Sequence, residues 1–336
     1  MKINTKDFLE KVKILQSVAE HTDKEIAVIS FSDNVMIARG SSIYIDVDFD
    51  FEDSQSFSVS AKRLREILDK INTDEIILTL SESALNIKAG KHRSKLPLIQ
   101  SDIIREERPK FENQLPADIY SALEICKISI SKQKNFNWVF DNYGYISDDI
   151  ISTDGQRCTV YKVDWPIDED ISLSKEVVNL ILSLDTEYSR VSENFIEFEA
   201  GSYYIKTSKN QEEYPEIDYD IFKGDDSFKI KTKDFLRAIE RVKIFSEKQE
   251  DNIVLINLEF NEDKLKIYSQ NEHGLAEDKI KIKSSIRREI KINPDYLLDI
   301  LRLIKDEKIV VKLSDKFVIF DQEQESFRHV ITLANI

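Results

Sequence analysis

Near the start of the chain, apolar residues fall at Phe8, Val12, Leu15 and Ala19, a spacing that puts them on one stripe of an amphipathic helix. After that helix, residues 25–50 are rich in β-branched and aromatic side chains, interrupted at Ser32-Asp33-Asn34 and Gly40-Ser41-Ser42. This pattern predicts strands joined by turns. A second helix is expected from Ser60, whose hydroxyl suits an N-cap, with Leu64, Ile67, Leu68 and Ile71 on one face. Residues Ile76 to Leu80 and Leu85 to Lys88 then read as a hairpin.

The pattern recurs. Lys2-Ile3-Asn4-Thr5-Lys6-Asp7-Phe8-Leu9 and Lys229-Ile230-Lys231-Thr232-Lys233-Asp234-Phe235-Leu236 agree at seven of eight positions with an offset of 227. A second signature, an apolar residue and a small or polar helix starter followed by a helix ending in an apolar pair, occurs three times. It appears at Val59-Ser60 to Ile67-Leu68, Leu173-Ser174 to Ile181-Leu182 and Ile292-Asn293 to Ile300-Leu301, with offsets of 114 and 119. The larger offset is two such periods, so the chain is expected to be three copies of one unit. Each copy holds two strand-helix-strand halves, and the first helix of the middle copy, near residues 118–134, is the most diverged. Proline-bearing connectors, Glu107-Arg108-Pro109-Lys110-Phe111 and Glu213-Tyr214-Pro215-Glu216-Ile217, put the boundaries near 112 and 224. The expected domains are therefore 1–112, 113–223 and 224–336, packed side by side without low-complexity linkers.

Composition narrows the chemistry. The 336 residues are 41% hydrophobic and 33% charged, enough for sizeable cores. Met1-Lys2-Ile3 runs into a charged amphipathic stretch with no apolar signal segment, so the expected location is cytoplasmic. Cys126 and Cys158 form no C-x-x-C pair and read as buried free thiols, and the four histidines (His21, His92, His273, His329) have no ligand spacing. No metal and no cofactor are expected. With seven glycines and no phosphate-cradling motif, nucleotide hydrolysis and Rossmann-type redox chemistry drop out.

The net charge is −15, which argues against nucleic-acid binding until its distribution is considered. The six expected helical segments (5–20, 60–71, 118–134, 174–188, 231–248 and 293–306) together carry +3, leaving −18 on the rest. In the helix after Lys231, Lys233, Arg237, Arg241 and Lys248 lie at about 160° to 240° from Phe235, taking about 100° per residue. Lys62, Arg63, Arg65 and Lys70 likewise avoid the apolar face of their helix. A single basic helix face is usually just solvated, but repetition in side-by-side copies would align such faces on one surface suited to a phosphate backbone.

Several segments resemble a known family, the bacterial β-type sliding clamp of DNA polymerase III. They are Ile151-Ser152-Thr153-Asp154-Gly155-Gln156-Arg157, Ala61-Lys62-Arg63-Leu64, Gly90 with Arg93-Ser94-Lys95-Leu96-Pro97-Leu98, Tyr214-Pro215-Glu216, and Arg237 with Ile244-Phe245-Ser246-Glu247-Lys248. The resemblance covers the whole chain. It implies an α+β fold of three tandem clamp domains, and a head-to-tail homodimer closing into a ring with helices lining the hole and antiparallel sheets outside. It also implies a non-catalytic processivity factor in DNA replication that encircles duplex DNA without reading sequence. Its partners would be the replicative polymerase, the clamp loader and other proteins with clamp-binding motifs, with no membrane involved. Three departures point to a divergent member, from a phage or other mobile element or from an AT-rich lineage. Gln156 stands where the family often has His, Thr332-Leu333-Ala334-Asn335-Ile336 replaces the usual tail, and the segment after Val18 is short and polar.

Site residues follow from the resemblance and the charge pattern together. The DNA-facing set is Lys62, Arg63, Lys132, Lys134, Lys175, Lys233, Arg237 and Arg241. The dimer interface is expected to use Ile244 and Phe245 against Leu96. The partner-peptide cleft is expected at Phe136, Thr153, Gly155, Arg157, Cys158, Pro215, Val330, Thr332 and Ile336, with Arg157 either contacting a peptide carbonyl or making a structural salt bridge. Two other classes remain as alternatives. One is a clamp-fold adaptor or decoy that binds peptides but never loads on DNA. The other is an enzyme, motivated only by carboxylate runs such as Asp148-Asp149 and Asp164 to Asp170, which have no accompanying base, nucleophile or metal ligand.

Overall fold

The computed structural model describes residues 1–336 except 22–25, 52–54, 103, 112, 132–136, 247–253, 323–325 and 335–336. The first third runs β1 (Lys2–Asn4), α1 (Thr5–Ala19), β2 (Val28–Ser32), β3 (Val35–Arg39), β4 (Ile43–Asp48), β5 (Phe57–Ser60), α2 (Ala61–Leu68), β6 (Glu75–Ser81), β7 (Ala84–Ala89) and β8 (His92–Pro97). The middle third repeats this order as β9 (Asn113–Gln114), α3 (Ile119–Cys126), β10 (Asn142–Ile146), β11 (Asp149–Thr153), β12 (Arg157–Lys162), β13 (Ile171–Ser174), α4 (Lys175–Ser183), β14 (Tyr188–Val191), β15 (Phe195–Ala200) and β16 (Tyr203–Ser208). The last third does so again as β17 (Asp226–Lys231), α5 (Thr232–Val242), β18 (Ile256–Asn261), β19 (Lys264–Asn271), β20 (Gly274–Lys281), β21 (Arg287–Ile292), α6 (Pro294–Leu303), β22 (Lys308–Leu313), β23 (Phe317–Gln322) and β24 (Phe327–Thr332). Each expected hairpin after the second helix is thus a three-stranded meander.

Local chemistry explains where helices start. Asn4 caps α1 by accepting from the amides of Lys6 and Asp7, Ser60 caps α2 through Arg63 N–H, and Asn293 caps α6 ahead of Pro294. The expected helix over 118–134 is shorter: α3 ends at Cys126, and a 3-10 turn follows at Lys127–Ser129. There the buried Ser129 hydroxyl bonds Thr159 Oγ1 at 2.6 Å, drawing the chain out of helical register.

Within each third the strand that opens one half pairs with the meander of the other half: β1 with β6, β5 with β2, β9 with β14, β13 with β10, β17 with β22 and β21 with β18. In the first and last thirds this exchange ties the two halves together. Two four-stranded sheets then join through β4 and β16 (Ile45 opposite Ile205), and two more through β12 and β24 (Thr159 opposite His329). Among the described residues the result is two eight-stranded and two four-stranded antiparallel sheets.

The chain forms two compact units, Met1–Leu115 with Pro166–Asp168 and Glu176–Gln211, and Pro116–Trp165 with Glu169–Lys175 and Glu212–Ile336. The strands of the middle third are shared between them. In the first unit, Phe8, Val12 and Leu15 of α1 and Leu64 and Leu68 of α2 are buried. In the second, Phe235, Ile239 and Val242 of α5 join Leu297 and Leu301 of α6. Cys126 and Cys158 are both buried free thiols, in line with the lack of any C-x-x-C pairing. No described helix is long and apolar enough to cross a membrane.

Candidate functional site

The second unit brings together much of the expected cleft. Cys158 and Val330 lie in one apolar cluster with Val139, Ile146, Ile151, Val160, Tyr214, Phe222 and Ile319, bordered by half-buried Trp138, Phe140, Ile217, Ile221 and Phe317. Pro215 follows the buried Tyr214 and is itself exposed. Thr153, Gly155 and Arg157 belong to the turn between β11 and β12. Its shape is self-contained: Asp154 Oδ1 accepts from the amides of Gln156 (3.0 Å) and Arg157 (3.1 Å). Thr153 Oγ1 donates to the Arg157 carbonyl at 2.8 Å. Gly155 has φ +83°, and a Cβ there would meet Phe140 Cζ at 2.9 Å, so both backbone conformation and space call for glycine. Thr332 N–H donates to the Gln156 carbonyl at 2.8 Å, tying the chain's tail to the turn. Thr332 and Phe317 also border a groove of about 330 Å³ with Arg288, Lys291 and Lys316. Phe136 and Ile336 lie outside the described residues.

Arg157 takes the salt-bridge alternative. It is 3% exposed, its Nε donates to Asp154 at 3.0 Å and its Nη1 to Asp299 at 2.7 Å, and its guanidinium lies 4.3 Å from the ring centroid of Tyr296. Burial raises the thiol pKa of Cys158 to about 12, so this wall presents a small apolar group and not a thiolate.

The expected basic residues are distributed over both units. On α2, Lys62 and Arg63 are exposed, and Arg63 pairs with Glu66 at 2.8 Å. On α5, Lys233, Arg237 and Arg241 are exposed alongside Asp234 and Glu240. Arg241 is held by Asp278 of β20 at 2.5 Å, and Lys175 by Asp141 at 2.8 Å, so both are less available than the sequence implied. Lys132 and Lys134 lie outside the described residues.

Of the expected interface residues, Ile244 is 74% exposed, in a 3-10 turn at Lys243–Phe245. Phe245 is half-buried, close enough to Gly274 that a Cβ there would meet its ring at 2.9 Å. Leu96, on β8 in the first unit, is buried at the floor of a groove of about 790 Å³ lined also by Ile26, Ile67, Pro97 and Ile99. Among the described residues, no cluster of His, Cys, Asp or Glu could hold a metal ion.

Residues 223–334 match the family model for the DNA polymerase III beta subunit, C-terminal domain. That segment belongs to the beta-subunit family. Over more of its length, the chain is 25% identical to the Beta sliding clamp of Pseudomonas putida across 285 residues, 77% of this chain and 75% of the relative. Solved sliding clamps match over all of it. The Bartonella birtlesii clamp bound to griselimycin has a TM-score of 0.85 at 20% identity, and the Thermotoga maritima beta subunit 0.85 at 14%, with 99% of each covered. A ligand-bound Pseudomonas aeruginosa clamp gives 0.81 at 18%, again with 99% covered. The chain therefore has the sliding-clamp fold and is a divergent relative of the bacterial β clamps.

Sequence reasoning missed Trp138, Phe140, Ile217, Phe317, Tyr296 and Asp299, which surround the expected cleft residues. The aromatic and aliphatic ones read as ordinary core positions. Asp299 is one of many carboxylates on a helix, and nothing in its spacing announces Arg157, 142 residues away.

Proposed function

We propose that this chain is a non-catalytic, cytoplasmic processivity factor that pairs head to tail with a second copy, encircles duplex DNA and tethers the polymerase, its loader and repair proteins through the cleft of the second unit. The division into three clamp domains, 1–112, 113–223 and 224–336, is part of this reading. The observation that carries it is a rule of strand pairing. Each meander that meets another does so through its last strand, β4 with β16 and β12 with β24. The last strands of the two remaining meanders, β8 and β20, end their sheets. A second copy that continues the rule joins its β20 to β8, a heterologous contact that closes after two steps.

Apolar side chains favour that junction; charge does not add to it, because β20 balances Glu277 and Asp278 with Lys279 and Lys281, and both acids are already paired, with Lys279 and Arg241. The groove over Leu96, where Ile26, Ile67, Pro97 and Ile99 sit with Lys62, Arg63 and Lys95, offers a seat for the exposed Ile244 of the other copy. Lys62, Arg63, Lys233, Arg237 and Arg241, with Lys132, Lys134 and Lys175, are the proposed phosphate-facing cations. Contacts to phosphate alone leave the ring free to slide. Griselimycin, held by the Bartonella clamp, is proposed to bind the wall formed by Thr153, Gly155, Cys158, Pro215, Val330 and Thr332.

The test is topological. Loaded protein should be retained on a closed circular plasmid and lost when the plasmid is linearised. Retention should fall steeply with salt, by a log–log slope of about −0.9 per phosphate contact. Changing Lys233 and Arg237, which lie outside the groove over Leu96 and off β20, to Glu should abolish retention and leave the dimer intact. Equal retention on circular and linear DNA defeats the ring; dimerisation and griselimycin binding without any DNA retention would favour the adaptor reading.

A further inference from the structure

We infer that Asp299 is a positioning residue for the partner cleft: through Arg157 it fixes where the turn at Thr153–Arg157 stands relative to α6. The inference rests on the cleft assignment proposed above. An arginine cannot shed its charge, so a guanidinium that is 3% exposed must keep its counter-charges or lose stability. Here two carboxylates share it, one on Nε and one on Nη1. Asp154 belongs to the turn itself; Asp299 belongs to α6, in the last third of the chain. Tyr296, one helical turn before Asp299, covers the face of the guanidinium.

The turn's internal bonds, from Asp154 Oδ1 and Thr153 Oγ1, do not involve α6. Its conformation therefore survives without Asp299, and its tie to α6 does not. The ladder of β12 with β24, from Arg157 opposite Ile331 onward, and the bond from Thr332 N–H to the Gln156 carbonyl set the turn against the tail; the Arg157–Asp299 pair, with Tyr296 over the guanidinium, sets it against α6. Removing the carboxylate leaves the turn joined to the tail and touching α6 through Tyr296. A peptide-sized ligand that touches both walls then bears the ordering cost that the ion pair had already met.

The experiment compares Asp299→Asn, Asp299→Glu and a control, Leu301→Val, a core truncation on the same helix that leaves the ion pair in place. Griselimycin affinity is measured by calorimetry well below the melting temperature of each variant, and amide exchange at Gly155–Arg157 is followed in parallel. D299N is expected to weaken binding by roughly tenfold, within the range typical of coupling residues, and to speed exchange in the turn. D299E should recover most of both, and L301V should lower the melting temperature without changing affinity. Wild-type affinity in D299N, or an affinity loss in L301V that matches it at equal thermal stability, overturns the positioning role. Failure of the wild type to bind griselimycin refutes the cleft assignment instead, and unchanged turn exchange in D299N refutes the tether on its own.

Discussion

His329 is sealed inside β24 beside the β12 junction. It is fully buried, its Nδ1 bonds Thr159 Oγ1 at 2.8 Å, and its ring packs against Phe320. Desolvation, then the positive charge of Arg157, hold its pKa down at about 3, so it is neutral in the folded protein. In the unfolded chain the same imidazole takes up a proton below about 6.5. The folded state thus binds fewer protons between those values, and stability falls as pH drops through that window. From pH 7 to pH 5 the loss from this residue is about 2 kcal/mol. His329→Gln, which keeps a hydrogen-bonding group for Thr159, should remove that share of the acid sensitivity. Urea midpoints of both proteins at pH 7 and pH 5 measure it, and equal losses in the two would show that His329 is not the sensor. The sequence singled out His329 only by excluding it from a metal site, because burial of a lone polar residue on a strand leaves no periodic mark.

At the scale of elements, the two connectors are straps. The first crosses the β4–β16 junction of its unit. Glu106 receives Lys206 at 2.6 Å and pairs with Arg39, and Arg108 pairs with the fully buried Asp46 and with Asp48 and donates to the Ser202 carbonyl at 3.0 Å. The second crosses the β12–β24 junction with aromatic groups. Tyr214 fills the space over Gly144, where a Cβ would meet its ring at 2.5 Å, and Arg328 lies over the rings of Tyr219 and Phe222. Their prolines marked both connectors in the sequence. What each connector grips could not be read there, since the partners lie 60 or more residues away and share no spacing with it. Arg108→Met leaves the buried Asp46 with the Tyr44 hydroxyl, which donates to it at 2.9 Å, and the more distant charge of Arg105. A buried carboxylate left without its cation should cost about 3–5 kcal/mol, visible as an earlier denaturation midpoint and faster amide exchange in β4 and β16. The loss should be nearly independent of added salt, unlike that from breaking the exposed Arg63–Glu66 pair.

For the whole molecule, the threefold repeat was legible because capped amphipathic helices and apolar strands leave a mark in side-chain order, and the same sequence of elements recurs in each third. How strands from different thirds meet was not. β4 with β16 and β12 with β24 are joined by backbone hydrogen bonds, which are common to all residues, so the sharing of the middle third between two compact units leaves no motif. The proposed ring extends those pairings to β8 and β20, and it depends on side chains to fix the register that backbone bonds leave open. Ile244 is the decisive one: Phe245 already packs against its own chain near Gly274, whereas Ile244 leaves three quarters of its surface in water. Ile244→Asp buries nothing extra in the monomer and puts a carboxylate where the proposed junction needs an apolar group, at a cost of several kcal/mol on burial. Light scattering at micromolar concentration should give the mass of a dimer for the wild type and of a folded monomer for I244D, with unchanged circular dichroism. A variant that remains dimeric would mean that copies join through another surface, and the pairing of β20 with β8 would have to be abandoned.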